Sequence, residues 1–430
     1  MPRSLEGLRI TVMGLGRFGG GVGVTRWLAG QGATVLVTDK EPAERLAESV
    51  GQIQDLVSRG DVTMRLGEHN VSDFTTADLV VANPAVPKPW DDRFLRSAHA
   101  AGVPITTEIR LLVERLDRER VIGVTGSAGK STTTAMTHHL LVRSGLTAHL
   151  GGNIGGSLLN ALGEIRPDDW VVLELSSAML YWLGKGIGEA SAEGWSPHVA
   201  VLTNINPNHI DWHGDFEHYR ESKLNIFRWQ RPGDVQVRGE EIDQEGPDIS
   251  LRIPGLHNQF NARLAVETLH CATGLRREAL AWRLDDFPGL PHRLQLAAER
   301  DGLRFYNDSK STTPEATVLA VASFAEPKHV HLIAGGYDKG SDLSAIASLT
   351  PSIAGLYTIG VTGESLAAHA AQSGGHVERC EALPRAVDCA MRRMRQGDVL
   401  LLSPGCASWD QFINFEQRGD EFVRLVSAAR

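Results

Sequence analysis

The sequence has few cysteines and no long apolar run. The spacing of the cysteines gives no C-x-x-C pair and predicts neither a zinc site nor a disulfide framework, so reduced, packed thiols are expected at Cys271, Cys380, Cys389 and Cys406. No stretch approaches the length that spans a bilayer, and the first residues lack the pattern of a signal peptide. We therefore expect a cytoplasmic protein without membrane insertion.

Basic residues are outnumbered as well. The chain has 43 Lys and Arg against 52 Asp and Glu, a formal net charge of −9, which argues against general nucleic-acid binding. Locally basic pockets can still hold anionic ligands in such a protein.

With 430 residues, 42% of them hydrophobic, the chain is too long for one ordinary core and predicts two or three domains. A monomer is expected.

Short β-branched runs alternate with amphipathic stretches of helical period, as is typical of parallel sheets covered by helices. The pattern predicts an α/β protein with three domains, at residues 1–111, 112–291 and 292–430. The stretch "AERLAESVGQIQDLVSRG" is predicted as one helix. The predicted strands are "RITVMG", "TVLVTD", "VTMRLG" and "ADLVVANP" in the first domain, "RVIGVTG", "WVVLELSS" and "HVAVLTNIN" in the second, and "LRFYNDS", "HVHLIAGG", "IAGLYTIG" and "DVLLLSPG" in the third.

The first strand leads into a glycine loop. Gly14, Gly16 and Gly19 have the G-x-G-x-x-G spacing that places a diphosphate on a helix N-terminus, and Asp39 ends the next strand, where a carboxylate can bind a ribose hydroxyl. Taken alone, this pattern favours an NAD-dependent oxidoreductase. That alternative assigns no role to a second phosphate-binding loop further along the chain.

The second loop is the stronger motif, "VIGVTGSAGKSTTT". A strand followed by glycines, a lysine and hydroxyls is the order that a nucleotide phosphate site requires, with the hydroxyl after the lysine able to hold Mg²⁺. Val124 stands where the general pattern has its first glycine. The alternative is a flexible turn with a solvated lysine. The residues predicted to bind phosphate are Gly126, Gly129, Lys130, Ser131 and Thr132.

Three further residues carry possible chemistry. Glu174 ends a predicted strand, where its carboxylate would face the phosphate loop and could bind Mg²⁺. His209 and Lys223 follow the next strand, but local spacing alone favours an ordinary loop histidine and a solvated helix lysine.

Nine motifs then occur in a fixed order: "TGSAGKST", "GGNIG", "ELSS", "NHIDWHG…SKLNIF", "GLHNQFN", "LPHRLQ", "NDSKSTTPEAT", "GGYDKGSDL" and "LSPGCASWDQFINFEQRGDEF". This series resembles the Mur ligases of peptidoglycan synthesis. The resemblance implies a Rossmann-like UDP-binding domain, a central P-loop ATPase domain and a Rossmann-like C-terminal domain. It also implies that ATP phosphorylates a substrate carboxylate, and that an amino acid then attacks the acyl phosphate.

The same resemblance implies roles for individual residues. The catalytic and metal set, for ATP and Mg²⁺, is Lys130, Ser131, Glu174, His209 and Lys223, the last as a carbamate. The residues matched to the ATP base, sugar or phosphates are Asn258, Asn261, Arg293 and Asp308. Those matched to the UDP-muramoyl substrate are Gly14, Gly16, Asp39, Asn153 and Ser176, and those matched to the amino-acid pocket are Thr312, Lys339, Ser408 and Phe415.

The C-terminal motifs are most similar to those of family members that join D-glutamate to UDP-N-acetylmuramoyl-L-alanine. Met179 stands where those members usually have glutamine, which leaves L-glutamate open as the amino acid. Another Mur-type or folyl-polyglutamate-type ligase is a further alternative. A catalytically dead scaffold is disfavoured, because Lys130, Glu174 and Lys223 are all present.

Overall fold

The strands of the protein form three separate sheets. A computed structural model describes residues 4–16, 19–184, 186–187, 194–243, 245–246 and 248–428. By its internal contacts the chain divides into a first unit, Met1–Gly246 with Asn261–Ala281, and a second unit, Pro247–Phe260 with Trp282–Arg430. Two sheets lie in the first unit and one in the second, and each unit is described by itself.

The first sheet has five parallel strands in the order β3-β2-β1-β4-β5. In β1 every residue after the first is buried, as expected for a strand covered on both faces. The order reverses beside β1, so the crevice at its carboxyl end is the expected ligand position. The strands are β1 Arg9–Met13, β2 Thr34–Asp39, β3 Val62–Leu66, β4 Leu79–Ala82 and β5 Ile105–Thr106.

The second sheet is also parallel, in the order β10-β9-β6-β8-β7. Val124 of the central strand lies between Glu174 and Val201 of its neighbours. The carboxyl ends of these three strands therefore meet at one edge, where the predicted phosphate loop begins. The strands are β6 Val121–Thr125, β7 Ala148–Gly152, β8 Trp170–Glu174, β9 Val199–Leu202 and β10 Val235–Arg238.

The third sheet, in the second unit, has the order β11-β12-β16-β13-β14-β15, and its first strand is antiparallel to the second. The adjacent carboxyl ends of β12, β16 and β13 bring three loops together. The strands are β11 Gln295–Arg300, β12 Leu303–Asn307, β13 Val330–Gly335, β14 Gly355–Ile359, β15 Val377–Glu381 and β16 Val399–Leu402.

Helices connect the strands. Among the residues that the structure describes, no helix is both long enough and apolar enough to cross a membrane. The helices are α1 Gly20–Gly30, α2 Ala47–Gly51, α3 Gln54–Arg59, α4 Val71–Thr75, α5 Arg93–Ala100, α6 Glu108–Val113, α7 Lys130–Arg143, α8 Ser177–Leu183, α9 Ile210–His213, α10 Phe216–Arg228, α11 Leu256–Thr273, α12 Arg277–Trp282, α13 Pro314–Ala322, α14 Ser344–Ala347, α15 Gly363–Ser373, α16 Leu383–Met391 and α17 Phe415–Ala428.

The α/β class and all eleven predicted strands are confirmed. The long helix predicted after β2 is wrong, because a short 3₁₀ turn at Ala43–Leu46 precedes α2, and a break at Gln52 and Ile53 separates α2 from α3. Glycine at position 51 weakens the helix there, and the break lets Ile53 bury its side chain completely. The domain boundaries near residues 111 and 291 stay predictions.

Candidate active site

The loop between β6 and α7 has the shape of a phosphate cradle. Gly129, with a left-handed φ of 80°, is the N-cap residue immediately before α7, and no side chain caps the first N–H groups of that helix. A Cβ at Gly126 would lie 1.8 Å from Thr203 Oγ1, and one at Gly129 would lie 2.5 Å from Asn261 Oδ1. Both positions therefore exclude a side chain. An uncapped helix N-terminus of this kind binds anions.

Residues that follow β9 hold this loop in place. Thr203 Oγ1 donates to the Ala128 carbonyl at 2.5 Å, and Ala128 N donates to Asn204 Oδ1 at 2.9 Å. Ser127 Oγ donates to the Asn206 carbonyl at 2.8 Å. The cradle is thus fixed before a ligand arrives, which lowers the entropic cost of binding.

Lys223 lies beneath the cradle and is 2% exposed. Its Nζ donates to the Gly126 carbonyl at 2.7 Å and sits 4.8 Å from the centre of the Tyr219 ring. The pKa of this amine is lowered to about 7. Burial is the largest cause and the charge of Lys130 adds to it, whereas the charge of Glu174 acts in the opposite direction. The interpretation as a solvated helix lysine is therefore wrong. An amine of this pKa is partly neutral near pH 7 and can react with CO₂.

Glu174, at the end of β8, is 1% exposed. Its Oε1 accepts a hydrogen bond from Asn153 Nδ2 at 2.9 Å, and the Asn153 backbone N–H donates to the Glu174 carbonyl at 2.9 Å. Its Oε2 is buried and has no hydrogen-bond partner among the described residues. A buried carboxylate oxygen left unsatisfied needs an explanation, and a hard cation such as Mg²⁺ is a suitable partner for it.

Tyr219 links the remaining groups of this site. Its hydroxyl hydrogen-bonds Ser127 Oγ at 2.8 Å, and its ring lies 6.3 Å from that of His209. His209 is exposed, with a left-handed φ of 52°, and stands immediately before α9. Sequence reasoning missed Tyr219, although its position four residues before Lys223 puts both on one face of α10.

Ser176 lies beside Glu174 and caps α8. Its Oγ accepts a hydrogen bond from Met179 N at 3.2 Å. Next to it, Ser177 Oγ hydrogen-bonds His213 Nε2 at 2.9 Å, and burial lowers the pKa of His213 to about 3. The histidine is therefore neutral at physiological pH.

The glycine loop after β1 is the second cradle of the first unit. Gly19 is left-handed and begins α1 without a side-chain cap. Asp39 does not point outward from its strand, because its Oδ2 accepts from Gly16 N at 3.0 Å and its Oδ1 accepts from Glu41 N at 2.9 Å. Gly14 N donates to the Thr38 carbonyl at 2.8 Å. The carboxylate therefore fixes the loop.

A cavity of about 370 Å³ lies beyond the end of β2, and sequence reasoning missed it. His69 enters its wall, with Nδ1 2.7 Å from Thr38 Oγ1. The cavity combines cationic, anionic and aromatic side chains, which suits an uncharged polar ring with several hydrogen-bonding edges. Its lining residues are Lys40, Glu68, His69, Asp92, Arg93 and Phe94.

In the second unit, Asp308 follows β12 and is buried. It accepts hydrogen bonds from Leu294 N at 3.1 Å and from Ser403 Oγ at 2.8 Å. Burial raises the pKa of its carboxyl group to about 6. Arg293 is exposed just before β11. Asn258 Nδ2 donates to the Pro254 carbonyl at 2.6 Å.

Thr312 and Lys339 line one small cavity of about 10 Å³, enough for a single water molecule. The strand pair Tyr337 and Ala407 brings the Lys339 loop beside Ser408, and Lys339 Nζ lies 4.8 Å from the Trp409 ring. Ser408 itself is buried. Phe415 begins α17, and its ring lies 5.9 Å from that of His292.

Arg418, which sequence reasoning missed, is a buried side chain that holds the loops after β12 and β16 together. It is fully buried and donates to the carbonyls of Ser309, Cys406 and Ala407 at 2.9, 3.1 and 3.3 Å. Burial lowers its pKa to about 10, so the guanidinium keeps its charge. The loops after β12 and β16 are thereby held in one arrangement.

Comparisons with known proteins agree with this geometry. Three family descriptions match along the chain: Mur ligase MurD-like, N-terminal domain, at residues 8–107; Mur ligase middle domain at 124–245; and Mur ligase, glutamate ligase domain, at 292–406. The chain belongs to the Mur ligase family. It is 34% identical to UDP-N-acetylmuramoylalanine–D-glutamate ligase of Pelotomaculum thermopropionicum, over 97% of each chain.

Two solved structures share the fold of this Mur ligase. One is the UDP-N-acetylmuramate-alanine ligase MurC of Thermotoga maritima, with a TM-score of 0.57 and 18% identity over 98% of this chain and 100% of that one. The other is the MurF ligase of Thermotoga maritima in complex with ADP, with a TM-score of 0.52 and 16% identity over 99% and 96% of the two chains. The predicted family and fold class are confirmed, and the enzyme is an ATP-dependent amide ligase.

The individual residue roles stay predictions, but the structure shows how the side chains are grouped. In the first unit of this Mur ligase the phosphate loop, Glu174, Asn153 and Lys223 surround one strand edge, and Asn261 packs against Gly129. In the second unit Thr312 and Lys339 share a cavity, whereas Phe415 lies beside His292.

Replacing Asp39 by alanine is expected to lower the free energy of unfolding by about 1–3 kcal/mol, because two backbone N–H groups lose their acceptor. Asp39→Asn keeps one acceptor oxygen, and its free energy of unfolding is expected to fall by less than half as much. Urea unfolding measures both, with the exposed Asp55→Ala as the control. Unchanged stability in Asp39→Ala together with lost binding of the UDP substrate would instead assign Asp39 a direct ligand contact.

Proposed function

We propose that this enzyme joins D-glutamate to UDP-N-acetylmuramoyl-L-alanine in peptidoglycan precursor synthesis. ATP phosphorylates the alanyl carboxylate and leaves as ADP, the glutamate amine attacks the acyl phosphate, and phosphate leaves as the amide bond forms. The observation that carries the proposal is the buried Lys223 amine on the Gly126 carbonyl, next to Glu174 and Lys130. The MurD-like N-terminal match and the D-glutamate ligase relative support the substrates. We further propose that the reaction takes place in the cytoplasm and that the enzyme acts as a monomer.

In this proposal the cradle of the first unit binds the ATP phosphates. The backbone N–H groups from Gly126 to Thr132 surround them, and the Lys130 ammonium neutralises charge on the transferring group. Asn261 supports the loop from behind, since it is buried against Gly129. Asn258, Arg293 and Asp308, which the family resemblance matches to ATP, lie in the second unit, and their roles stay predictions.

The donor set also fits Mg²⁺. Ser131 and Glu174 would hold a first Mg²⁺, His209 would bind a second, and a carbamate on Lys223 would help to hold the pair. Glu174 Oε2 is buried without a hydrogen-bond partner in the described ranges. Bound Mg²⁺ neutralises negative charge on the phosphoryl oxygens. The neutral Lys223 amine attacks CO₂, forms an N–C bond and releases one proton. This replaces a buried cation by an anion, which removes the repulsion between Lys223 and any cation beside it.

The UDP-muramoyl substrate occupies the other cradle in this proposal. Its diphosphate sits on the N-terminus of α1 at Gly14 and Gly16, and Asp39 keeps that loop in place. The uracil ring fills the cavity of about 370 Å³ beyond β2. Asn153 and Ser176 face the muramoyl-alanine end, beside Glu174.

Glutamate binds at the loops of the third sheet. The Lys339 ammonium pairs with one carboxylate, and the hydroxyls of Thr312 and Ser408 hydrogen-bond the other, with Phe415 closing one side. A pocket that holds two carboxylates from fixed directions accepts one enantiomer with its amine aimed correctly.

The test is ADP release with purified acceptor and each glutamate enantiomer separately. We expect turnover at least about tenfold faster with D-glutamate than with L-glutamate. Reactions without acceptor are the control for simple ATP hydrolysis. Met179 can only pack against the muramoyl-alanine, where a glutamine could hydrogen-bond it. For this reason both enantiomers of glutamate are tested. Faster turnover with L-glutamate would overturn the enantiomer assignment, and turnover only with another amino acid would overturn glutamate altogether.

A further inference from the structure

Two of the four cysteines come together in the second unit, far from any C-x-x-C pattern. Cys380 lies on the edge strand β15 and Cys389 on the following helix α16. The two sulfur atoms and a carboxylate oxygen of Glu378 all lie within 4.8 Å of one another. Glu378 and Cys380 are two residues apart on a strand, so they share one face of the sheet.

A β-bulge sets this arrangement. Thr358 pairs with Arg379 and Ile359 with Glu381, so Cys380 is an extra residue on its strand. Glu381 has a left-handed φ of 64°, and Ala382 N donates to the Cys380 carbonyl at 2.7 Å. Bulges redirect side chains, and here the result is a completely buried Cys380 next to the nearly buried Cys389.

The Cys380 thiol already donates to the Glu378 backbone carbonyl, with sulfur and oxygen 3.6 Å apart. A fourth donor stands at the start of the same strand: His376 Nε2 lies 3.7 Å from Glu378 Oε2. This nitrogen is buried and has no hydrogen-bond partner in the part of the chain that the structure describes.

We propose that Cys380, Cys389, Glu378 and His376 form a binding site for a thiophilic divalent cation of the Zn²⁺ type. Two sulfurs, one oxygen and one nitrogen are a donor set that suits tetrahedral Zn²⁺. Zn–S bonds of about 2.3 Å place two tetrahedral sulfurs ~3.8 Å apart, so the two sulfurs, which lie within 4.8 Å of each other, need to approach by about 1 Å at most. Binding forms two metal–sulfur bonds, breaks both S–H bonds and releases two protons.

Local charge and thiol acidity set the strength of the site. Burial raises the pKa of both thiols, that of Cys380 to about 12, so the cation competes with protons for sulfur. Arg385 and Arg393 lie near enough to oppose a further positive charge. The two thiolates and the Glu378 carboxylate bring three negative charges, which outweigh the charge of one divalent cation. This soft donor set differs from the hard Ser131 and Glu174 oxygens, so the site does not depend on the proposed ligase reaction.

The experiment uses Co²⁺ as a spectroscopic probe on the full-length protein, under a phosphine reductant and with excess Mg²⁺ to occupy hard sites. We expect one equivalent of Co²⁺ with thiolate-to-cobalt charge-transfer absorption, displaced by Zn²⁺. Cys389→Ala is expected to abolish this absorption and weaken binding by about a hundredfold or more. Cys271→Ala, an exposed cysteine in the first unit, is the matched control and should keep the full signal.

A second variant keeps the test valid if Cys389→Ala does not fold. Glu378 is partly exposed on an edge strand, so Glu378→Gln should leave the core intact and weaken Co²⁺ binding by about tenfold. Zn²⁺ should raise the thermal midpoint of the wild type and of Cys271→Ala more than that of Glu378→Gln. Cobalt spectra without a thiolate band, or spectra unchanged in both site variants, would overturn the proposal.

Discussion

Replacing Lys130 by alanine is expected to lower ADP release by at least about a thousandfold while leaving the fold intact. Lys130 is the first residue of α7, and its Nζ donates to the Ser127 carbonyl at 3.2 Å on the surface of the cradle. In the proposed mechanism the loss removes a cation that stabilises charge on the transferring phosphoryl group. Because the side chain contributes little to the core, the free energy of unfolding should change by less than about 1 kcal/mol.

The control for this variant is Lys328→Ala, which removes an exposed lysine that pairs with Glu326. It should keep both normal turnover and normal urea unfolding. Near-normal turnover of a well-folded Lys130→Ala would contradict the assignment of the β6–α7 loop as the ATP site.

Replacing Lys223 by alanine is also expected to lower ADP release by about a thousandfold, but for a different reason. In the proposed mechanism carbamylation turns this buried amine into an anion beside Glu174, and alanine would supply neither the anion nor the volume. A small carboxylate such as acetate should fit the space left behind and restore part of the activity. Lys223→Arg fills the same space with a permanent cation and should not respond to acetate.

Activity of the wild type should also depend on CO₂ and pH together. Because the pKa of Lys223 is lowered to about 7, the amine is mostly protonated below that pH and cannot attack CO₂. Enzyme freed of CO₂ should therefore regain activity on adding bicarbonate, and more so as the pH rises through about 7. Lys223→Ala with acetate should lack this response. Failure of acetate rescue in a folded Lys223→Ala, together with insensitivity to bicarbonate, would contradict the carbamate role.

Much of the first unit could be predicted from short stretches of sequence. The strand, the two glycines and Lys130 lie within ten consecutive residues, and their conformations depend mainly on local backbone geometry. Gly129, for example, needs a left-handed φ that any side chain would strain. The buried strands are predictable for the same reason, whereas the single helix predicted after β2 is wrong because its break depends on burying Ile53 in the core.

The amino-acid sequence by itself determined the α/β class, the two glycine loops and the order of motifs that places the chain among Mur ligases. The tertiary structure alone decided what distant residues do. Lys223 meets Gly126 across 97 positions, and its burial, together with the charge of Lys130, lowers the pKa of its amine. Asp39 supports the glycine loop after β1 because β1 and β2 are neighbours in the sheet. Cys380 lies close to Cys389 because a β-bulge in the edge strand β15 directs its side chain toward α16. Side-chain charge and partners depend on desolvation and distance, which sequence spacing does not specify.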